Sequence, residues 1–335
     1  MTHANATVLV TGGYGCIGAE TTKWILRNTG ASVVAAGRRV DADRTTRVFH
    51  DVDQTNLITL ALDIQHADQL AECLSTHNVT HVVHLAALQT PDCNAYRDLG
   101  LQINLAGTQH LVECMKTAAT PIERFVFASS VAVYGPRSHY PAGQVPMLAE
   151  PHPVNVYGAW KLAGENISRM FHEDTGVPTV SIRPGVLFGP GRDAGLTSTP
   201  TTAMKCAALG LPYQIPYANR QDYLYAPDVG AAFACATLDP FEGYSCFTLP
   251  SQTLDTQTIV EAIQQSAGDL GLSEEFQISI GTETVPFICD LEHEPFRTAF
   301  PNAPLTPIST AVRESLSVFQ QQIERGWLTK ADIPN

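Results

Sequence analysis

Apolar residues recur along the first half of the chain in short continuous runs, separated by longer amphipathic stretches. Continuous runs of Val, Ile, Leu and Ala, rather than strict alternation, are typical of strands covered on both faces. We predict strands at residues 6–10, 32–36, 58–63, 81–87, 124–130 and 179–184. Helical stretches lie between them at 17–29, 66–76, 98–118 and 157–175. This alternation predicts a doubly wound α/β fold around a parallel sheet.

The pattern changes after about residue 185, where Gly and Pro become frequent. Helical stretches return at 228–238, 256–268 and 309–325. We therefore predict a larger sheet domain over 1–185, with 220–240 returning to it. A smaller C-terminal lobe would consist mainly of 186–219 and 241–335.

A glycine-rich loop follows the first predicted strand and precedes a helix. Gly12, Gly15 and Gly18 have the spacing G-x-x-G-x-x-G. Glycines here permit a tight turn and a close approach of the backbone to a pyrophosphate, which the N–H groups of the helix N-terminus attract. An ordinary turn is the alternative. We predict that this is a dinucleotide-binding Rossmann domain, with Cys16 and Ile17 also contacting the cofactor.

The end of the second predicted strand bears on the choice of cofactor. An acidic residue there bonds the ribose 2′-hydroxyl of NAD, whereas a basic residue accommodates the 2′-phosphate of NADP. The chain reads Gly37-Arg38-Arg39, so glycine replaces the acid and two guanidinium groups follow. This favours NADP over NAD unless Asp41 or Asp43 turns inward. Asp63 and Ile64 are candidates for the adenine site, with a helix cap as the alternative for Asp63.

A tyrosine–lysine pair opens the helical stretch 157–175. Tyr157 and Lys161 are four residues apart, which places them on one helix face. An ammonium beside a phenol lowers the pKa of the phenol, so that it can exchange a proton near neutral pH. Ser129 and Ser130 close the preceding strand, at the edge where such sheets bind ligands. A serine hydroxyl there can hold a substrate oxygen while the phenol moves the proton.

These motifs follow one another in the order and spacing of a known enzyme family. The glycine loop, HLAA (84–87), NLAGT (104–108), ASSVAVYG (128–135), YGAWK (157–161) and RPGVLFGPG (183–191) together resemble the extended short-chain dehydrogenase/reductases, the NAD(P)-dependent epimerase/dehydratase group. The resemblance covers residues 6 to about 240. It implies that Tyr157 is the general acid/base, that Lys161 binds the nicotinamide ribose and tunes the phenol, and that Ser130 rather than Ser129 is the catalytic serine.

The resemblance also implies further cofactor contacts and an assembly. The remaining implied cofactor residues are Leu85, Ala86, Ala87, Asn104, Pro184 and Val186, together with Tyr157 and Lys161. For Asn104 the alternative is a structural amide that satisfies buried backbone. Family members often dimerise through two long helices, which correspond here to 98–118 and 157–175, so the resemblance implies a homodimer.

The substrate-binding stretches depart from the sugar-nucleotide pattern of the family. The segment 183–189 lacks the asparagine of that pattern, and Arg220 is displaced by one residue from the usual arginine. Val131 and Ala132 stand where dehydratases carry an acid pair, which argues against dehydration. Candidate substrate residues are Gln89, Ser130, Tyr134, Arg192 and Ser198, with Leu88, Thr197 and Tyr223 as further pocket candidates.

Arg192 is the most specific of these candidates, because a lone cation near the mouth of the site would clamp a carboxylate or phosphate. A surface pairing of Arg192 with Asp193 or another acid is the alternative. The hydroxyl groups of 197–202 would either meet a polyol or cap a helix over 200–209.

Composition excludes several other classes of protein. The 335 residues include 33 acidic and 20 basic side chains, for a net charge of -13, and no Lys/Arg-rich run, so we expect no nucleic-acid partner. The 8 cysteines form no C-x-x-C pair and no zinc spacing, which predicts reduced thiols, no metal site and a cytoplasmic protein. We find no signal peptide and no apolar run of membrane-spanning length.

The motifs together predict an NAD(P)-dependent oxidoreductase. It would transfer hydride between the nicotinamide and an alcohol or ketone carbon of a small polar, sugar-like or hydroxy-acid substrate. One alternative is a sugar 4-epimerase, including one for nucleotide sugars, with tightly bound NAD. A non-catalytic dinucleotide-binding regulator is the other, and the presence of Ser130, Tyr157 and Lys161 argues against it.

Overall fold

Seven strands in the described part of the chain form one parallel sheet with the order β3-β2-β1-β4-β5-β6-β10. The computed structural model describes residues 3–195, 197–272, 276–285 and 288–333. Its strands are β1 Thr7–Thr11, β2 Ser32–Gly37, β3 Leu57–Ala61, β4 His81–His84, β5 Arg124–Ala128, β6 Thr179–Arg183, β7 Val186–Phe188, β8 Tyr213–Tyr217, β9 Arg220–Tyr225, β10 Tyr244–Thr248, β11 Gln252–Asp255 and β12 Ile278–Glu283. The strand order reverses between β1 and β4, so the sheet is doubly wound and of the Rossmann type, as predicted.

Helices cover the sheet and build the lobe. They are α1 Cys16–Asn28, α2 Ala42–Phe49, α3 Ala67–Thr76, α4 Thr90–Ala95, α5 Arg97–Leu101, α6 Gly107–Lys116, α7 Val156–Thr175, α8 Thr199–Leu209, α9 Ala226–Leu238, α10 Thr256–Asp269, α11 Glu294–Ala299 and α12 Ile308–Glu324. The predicted helix 98–118 is not uniform, since a π-helical turn over Gln102–Ala106 joins α5 to α6.

Both faces of the sheet are buried at its central strands, which explains the continuous apolar runs there, whereas the edge strand β3 is largely exposed. Val8 and Val10 of β1 pack in one cluster with Phe233 of α9. Leu9 lies in a second cluster with Leu111 of α6. Successive strand residues point to opposite faces, so a strand covered on both sides must be apolar at every position.

Helix α9 returns the chain to the sheet domain and packs across α1. Every residue of α9 except Pro227 is buried. The two helices approach closely at Gly230, where a Cβ atom would lie 2.5 Å from the Cβ atom of Glu20. Helix α9 therefore packs on α1, the helix that begins at the glycine loop.

The C-terminal lobe contains two small sheets of its own. β11, β9 and β7 form one, and β12 pairs with β8 in the other. Helices α8, α10 and α12 complete its core. β10 does not belong to this lobe, although the sequence places residues after 240 mainly there. It pairs with β6 as the last strand of the central sheet, because its buried residues Cys246, Phe247 and Thr248 complete the covered edge.

Candidate active site

A cleft of about 550 Å³ opens at the carboxyl ends of the parallel strands. It is lined by the glycine loop, by the residues that follow β2, β3, β4, β5 and β6, and by the first turns of α7. The lobe contributes Arg192 and Thr197. The cleft lies at the point where the strand order reverses, which is where open α/β sheets bind their ligands.

The glycine loop forms one wall of the cleft, and its backbone leaves no space for side chains. Gly15 is the N-cap of α1, and its N–H donates to the carbonyl of Gly12 at 2.9 Å. A Cβ atom on Gly18 would lie 2.2 Å from that same carbonyl oxygen. Gly12 has φ +69° and would meet the backbone of Ala86 at 2.9 Å. Gly12, Gly15 and Gly18 all line the cleft, so backbone rather than side chains faces it at the N-terminus of α1, where a pyrophosphate would bind.

The far end of the cleft is strongly basic. Arg38, Arg39 and Arg44 all line it. Asp41 does not turn inward, because it caps α2 by accepting the N–H of Arg44 at 2.8 Å. Asp43 pairs instead with Arg47 at 3.1 Å. Arg44 was not predicted from the sequence, and the first turn of α2 brings it to this end of the cleft.

Arg44 is held in place by the glycine loop itself. Its guanidinium lies 5.1 Å from the ring centroid of Tyr14, in a cation–π contact. Its Nη1 also donates to the carbonyl of Arg39 at 2.9 Å. Gly37 makes room for this arrangement, since a Cβ atom there would lie 3.3 Å from the Tyr14 ring.

The adenine-site candidates lie at the end of β3. Asp63 and Ile64 both line the cleft. The Asp63 carboxylate accepts the N–H of Gln65 at 3.0 Å, within the turn before α3. The N-cap of α3 is His66, so the capping alternative for Asp63 is not what the structure shows.

Ser130, Tyr157 and Lys161 converge on the floor of the cleft. Asn155 caps α7 by accepting the N–H of Gly158 at 2.9 Å, which fixes the first turn that carries Tyr157. Lys161 Nζ donates to the carbonyl of Ala128 at 2.6 Å and lies 5.8 Å from the centre of the Tyr157 ring. The three candidate catalytic side chains thus come together from α7 and the end of β5.

Burial dominates the titration of these groups. It lowers the pKa of Lys161 to about 8. It also raises the pKa of Tyr157, against the opposing effects of the Ser130 hydroxyl and the Arg192 charge. From the sequence we expect Lys161 to lower the pKa of the Tyr157 phenol. The structure differs because water exclusion outweighs the neighbouring charges.

The mouth of the cleft carries a half-buried cation without an acidic partner among the described residues. Arg192 Nη1 donates to Gln89 Oε1 at 3.3 Å, and its Nη2 lies 3.5 Å from Thr197 Oγ1. Its Nε is buried without a hydrogen-bond partner. The alternative pairing with Asp193 does not occur, because Asp193 pairs with Lys205 at 2.6 Å.

The remaining cofactor candidates also line the cleft, with one exception. Cys16, Ile17, Leu85, Ala86, Ala87, Pro184 and Val186 line it together with Leu88. Asn104 does not, because its side chain is turned away to the backbone of Leu88. Asn104 Oδ1 accepts the Leu88 N–H at 2.7 Å, and its Nδ2 donates to the Leu88 carbonyl at 2.9 Å. This is the structural alternative, in which the amide holds the loop after β4.

Three predicted substrate residues lie outside the cleft. Tyr134 is fully buried behind it and donates to the Met147 carbonyl at 2.5 Å. Ser198 donates to the Gly195 carbonyl at 3.0 Å, within the loop before α8. Tyr223 is buried in the core of the lobe. Their positions near the motifs in sequence do not bring them to the ligand, because each side chain points into local packing.

The described residues contain no group of three or more His, Cys, Asp or Glu side chains that could hold a metal ion. All 8 cysteines are free. No helix in the described ranges is both long enough and apolar enough to cross a membrane.

Comparison with known proteins gives a consistent picture. The profile of the NAD dependent epimerase/dehydratase family matches residues 8–245. D-erythronate dehydrogenase of Cupriavidus necator is 31% identical over 194 residues, which are 53% of this chain and 56% of that protein. UDP-glucose 4-epimerase 4 of Oryza sativa subsp. japonica is 34% identical over 175 residues, 50% of this chain and 46% of that protein. The chain spans about half the length of the curated relatives it matches.

Solved structures of other proteins share the fold of this chain over nearly its whole length. UDP-glucose 4-epimerase of Thermotoga maritima, with UDP-glucose, has a TM-score of 0.78 at 19% identity, covering 95% of this chain and 99% of that one. L-threonine dehydrogenase of Clostridium difficile has a TM-score of 0.77 at 19% identity, covering 97% of this chain and 99% of that one. At these identities the likeness concerns the fold alone.

Proposed function

Since the chain belongs to the NAD-dependent epimerase/dehydratase family, we propose that it is a nicotinamide-dependent dehydrogenase or reductase of a small polar substrate. The observation that carries the proposal is the convergence of Ser130, Tyr157 and Lys161 on the floor of the cleft that the glycine loop walls. The tight backbone at Gly18, where any Cβ atom would strike the Gly12 carbonyl, fits a dinucleotide pyrophosphate.

The proposed mechanism assigns one task to each of these side chains. The bound nicotinamide would supply the hydride donor or acceptor. Ser130 would hold the substrate oxygen beside the phenol, and Tyr157 would take or give its proton. Lys161 would bind the nicotinamide ribose and keep a positive charge close to Tyr157. Pro184, directly after β6, and Val186, the first residue of β7, would pack against the nicotinamide.

We further propose that the cofactor is NADP rather than NAD. The support is the basic end of the cleft, where Arg38, Arg39 and Arg44 stand and where Asp41 and Asp43 are engaged elsewhere. Guanidinium groups suit the 2′-phosphate, which NAD lacks. Arg44→Gln should weaken NADPH binding and leave NADH binding nearly unchanged in a fluorescence titration. Arg47→Gln, from the same helix, is the matched control and should alter neither affinity.

The test of the reaction is cofactor turnover at 340 nm with small hydroxy acids, polyols, sugars and their ketones. Wild type should turn over with at least one of them, and Tyr157→Phe should lower that rate by about tenfold or more. Full activity in Tyr157→Phe would contradict the mechanism. The relative from Cupriavidus necator, named as a D-erythronate dehydrogenase, makes four-carbon hydroxy acids the first substrates to try.

A sugar 4-epimerase is the second candidate, favoured by the matching UDP-glucose 4-epimerase of Oryza sativa. An epimerase of this kind returns the hydride to the substrate within each cycle. It would therefore purify with cofactor bound and would interconvert two sugars with no net change at 340 nm. Turnover of added NADP with a single alcohol would exclude it.

A further inference from the structure

A buried ion pair lies directly behind the candidate catalytic residues. Glu165 of α7 and Arg183 of β6 meet through two hydrogen bonds, Nε–Oε1 and Nη2–Oε2, both of 2.7 Å. Each side chain is only 6% exposed. A pair buried in this way is tolerated only when its remaining polar atoms are also bonded.

The remaining atoms of this pair do find partners. Ser129 Oγ donates to Glu165 Oε1 at 2.5 Å. Arg183 Nη1 donates to the hydroxyl of Tyr134 at 2.7 Å and to the carbonyl of Met147 at 3.0 Å. These contacts explain why Tyr134 is a buried structural residue. They also make the carboxylate the meeting point of three elements, α7, β5 and β6.

Those three elements carry the reacting groups. Helix α7 presents the tyrosine–lysine face, with Glu165 one turn beyond the lysine. Ser129 directly precedes Ser130, and Arg183 directly precedes Pro184. A shift of the Glu165 carboxylate would therefore move three groups relative to one another: the Tyr157 phenol, the Ser130 hydroxyl and Pro184.

The same carboxylate supplies the negative charge near Lys161. Among the described residues, the other titratable groups near Lys161 are Cys93 of α4, His84 of β4 and Tyr157 of its own helix, and Arg183 is the cation paired with Glu165. Burial lowers the pKa of His84 to about 3 and raises the pKa values of Cys93 and Tyr157. All three are therefore uncharged at neutral pH, and Glu165 opposes the desolvation that lowers the pKa of Lys161 to about 8.

We propose that Glu165 is a positioning residue, which holds the tyrosine–lysine face of α7 against the ends of β5 and β6 and keeps Lys161 protonated. The inference rests on the proposed function, since it concerns the site in which Lys161 would meet the nicotinamide ribose. It adds a residue that touches neither substrate nor cofactor and acts through its neighbours.

NADPH affinity measured by fluorescence between pH 6 and 10 tests the proposal without a substrate. In wild type the affinity should fall as pH rises through the pKa of Lys161, and Lys161→Met should abolish that step. Glu165→Gln keeps the shape and removes the charge, so the step should move to lower pH. Glu165→Asp keeps the charge and should leave the step near its wild-type position. A stabilising role alone would move the melting temperature and not the step.

The outcomes separate this inference from the proposed function. A folded Glu165→Gln with an unmoved step overturns the role of Glu165 and leaves the proposed function intact. Wild type that binds neither NADPH nor NADH overturns both. If Glu165→Gln unfolds because Arg183 has lost its partner, the double variant Glu165→Gln, Arg183→Met removes the unpaired charge. Its step must again lie below that of wild type for the proposal to stand.

Discussion

Lys161 illustrates how a functional side chain and the stability of the fold oppose each other. Burial lowers the pKa of Lys161 from 10.5 to about 8, so the unfolded chain binds the proton more tightly between those values. The folded state is therefore penalised below about pH 8 and recovers that free energy as pH rises towards 10.5.

Lys161→Met should accordingly unfold at higher urea concentration than wild type at pH 7, while losing activity. The difference should narrow as pH approaches 10.5, because the wild-type penalty is relieved there. Urea titrations at pH 7, 8.5 and 10 would measure it. Lys330→Met, at an exposed position, is the control and should show no such trend. A constant difference across this range would contradict the buried-charge explanation.

Arg192 is the residue that would select an anionic substrate. Its guanidinium faces the cleft with a neutral amide as neighbour and with Nε unbonded. We expect Arg192→Gln to raise KM for a hydroxy-acid substrate at least tenfold, and to change KM little for an uncharged alcohol, because only the acid loses an ionic hydrogen bond.

Steady-state kinetics with matched acid and alcohol substrates would check this. Lys205→Gln is the matched control, since Lys205 pairs with Asp193 beside Arg192 and does not line the cleft. Equal losses for acid and alcohol in Arg192→Gln would argue for a general role in the shape of the pocket.

At the scale of elements, α1 depends on the absence of a side chain in its first turn. A Cβ atom on Gly18 would lie 2.2 Å from the Gly12 carbonyl, so Gly18→Ala must push the glycine loop away from the helix. We expect it to abolish dinucleotide binding, measured by NADPH fluorescence, and to lower the melting temperature.

Gly268→Ala is the matched control for that change. Gly268 lies in α10, and a Cβ atom there meets nothing within 4 Å. The substitution should therefore stabilise the protein by about 0.5–1 kcal/mol, because alanine favours helix. If Gly18→Ala still bound the cofactor, the glycine loop could move without losing its ligand, which would contradict the expected loss of binding.

Elements whose signal is local were the predictable ones. The parallel strands and most helices follow from runs and spacings of a few residues, and so do the glycine loop and the Tyr157–Lys161 pair. Helix α2 was missed because only Phe49 within it is buried, so it has almost no apolar stripe. β10 was missed because its five residues are recognisable as a strand of the central sheet only from their pairing with β6.

Contacts between distant parts of the chain limited how much of the candidate site could be predicted from the sequence. Gln89 and Arg192 are 103 positions apart, and their contact depends on the lobe folding over the sheet. Arg44 reaches the cleft only because α2 exists. Tyr134 was misassigned because its partners, Met147 and Arg183, lie 13 and 49 positions further along the chain.

At the scale of the whole molecule, the homodimer remains a prediction. It would form through the helical stretches 98–118 and 157–175, which carry exposed apolar residues, Leu99 at 40% and Met170 at 53%. Met170→Lys should therefore give a monomer in sedimentation velocity, because a buried unpaired charge is costly at an interface. Leu148→Lys, at a position 77% exposed and outside these helices, is the control. An unchanged sedimentation coefficient in Met170→Lys would place any interface elsewhere.

The return of α9 and β10 to the sheet has a consequence for how the protein is made. While the ribosome extends the chain, β6 emerges with one edge unpaired and α1 with one face bare. The residues that cover them follow only at 226–238 and 244–248, after much of the lobe has been synthesised. An open strand edge and a bare apolar face invite association with other chains. We therefore expect the nascent chain to expose an unpaired strand edge until β10 has been made, and a bare face of α1 until α9 has been made.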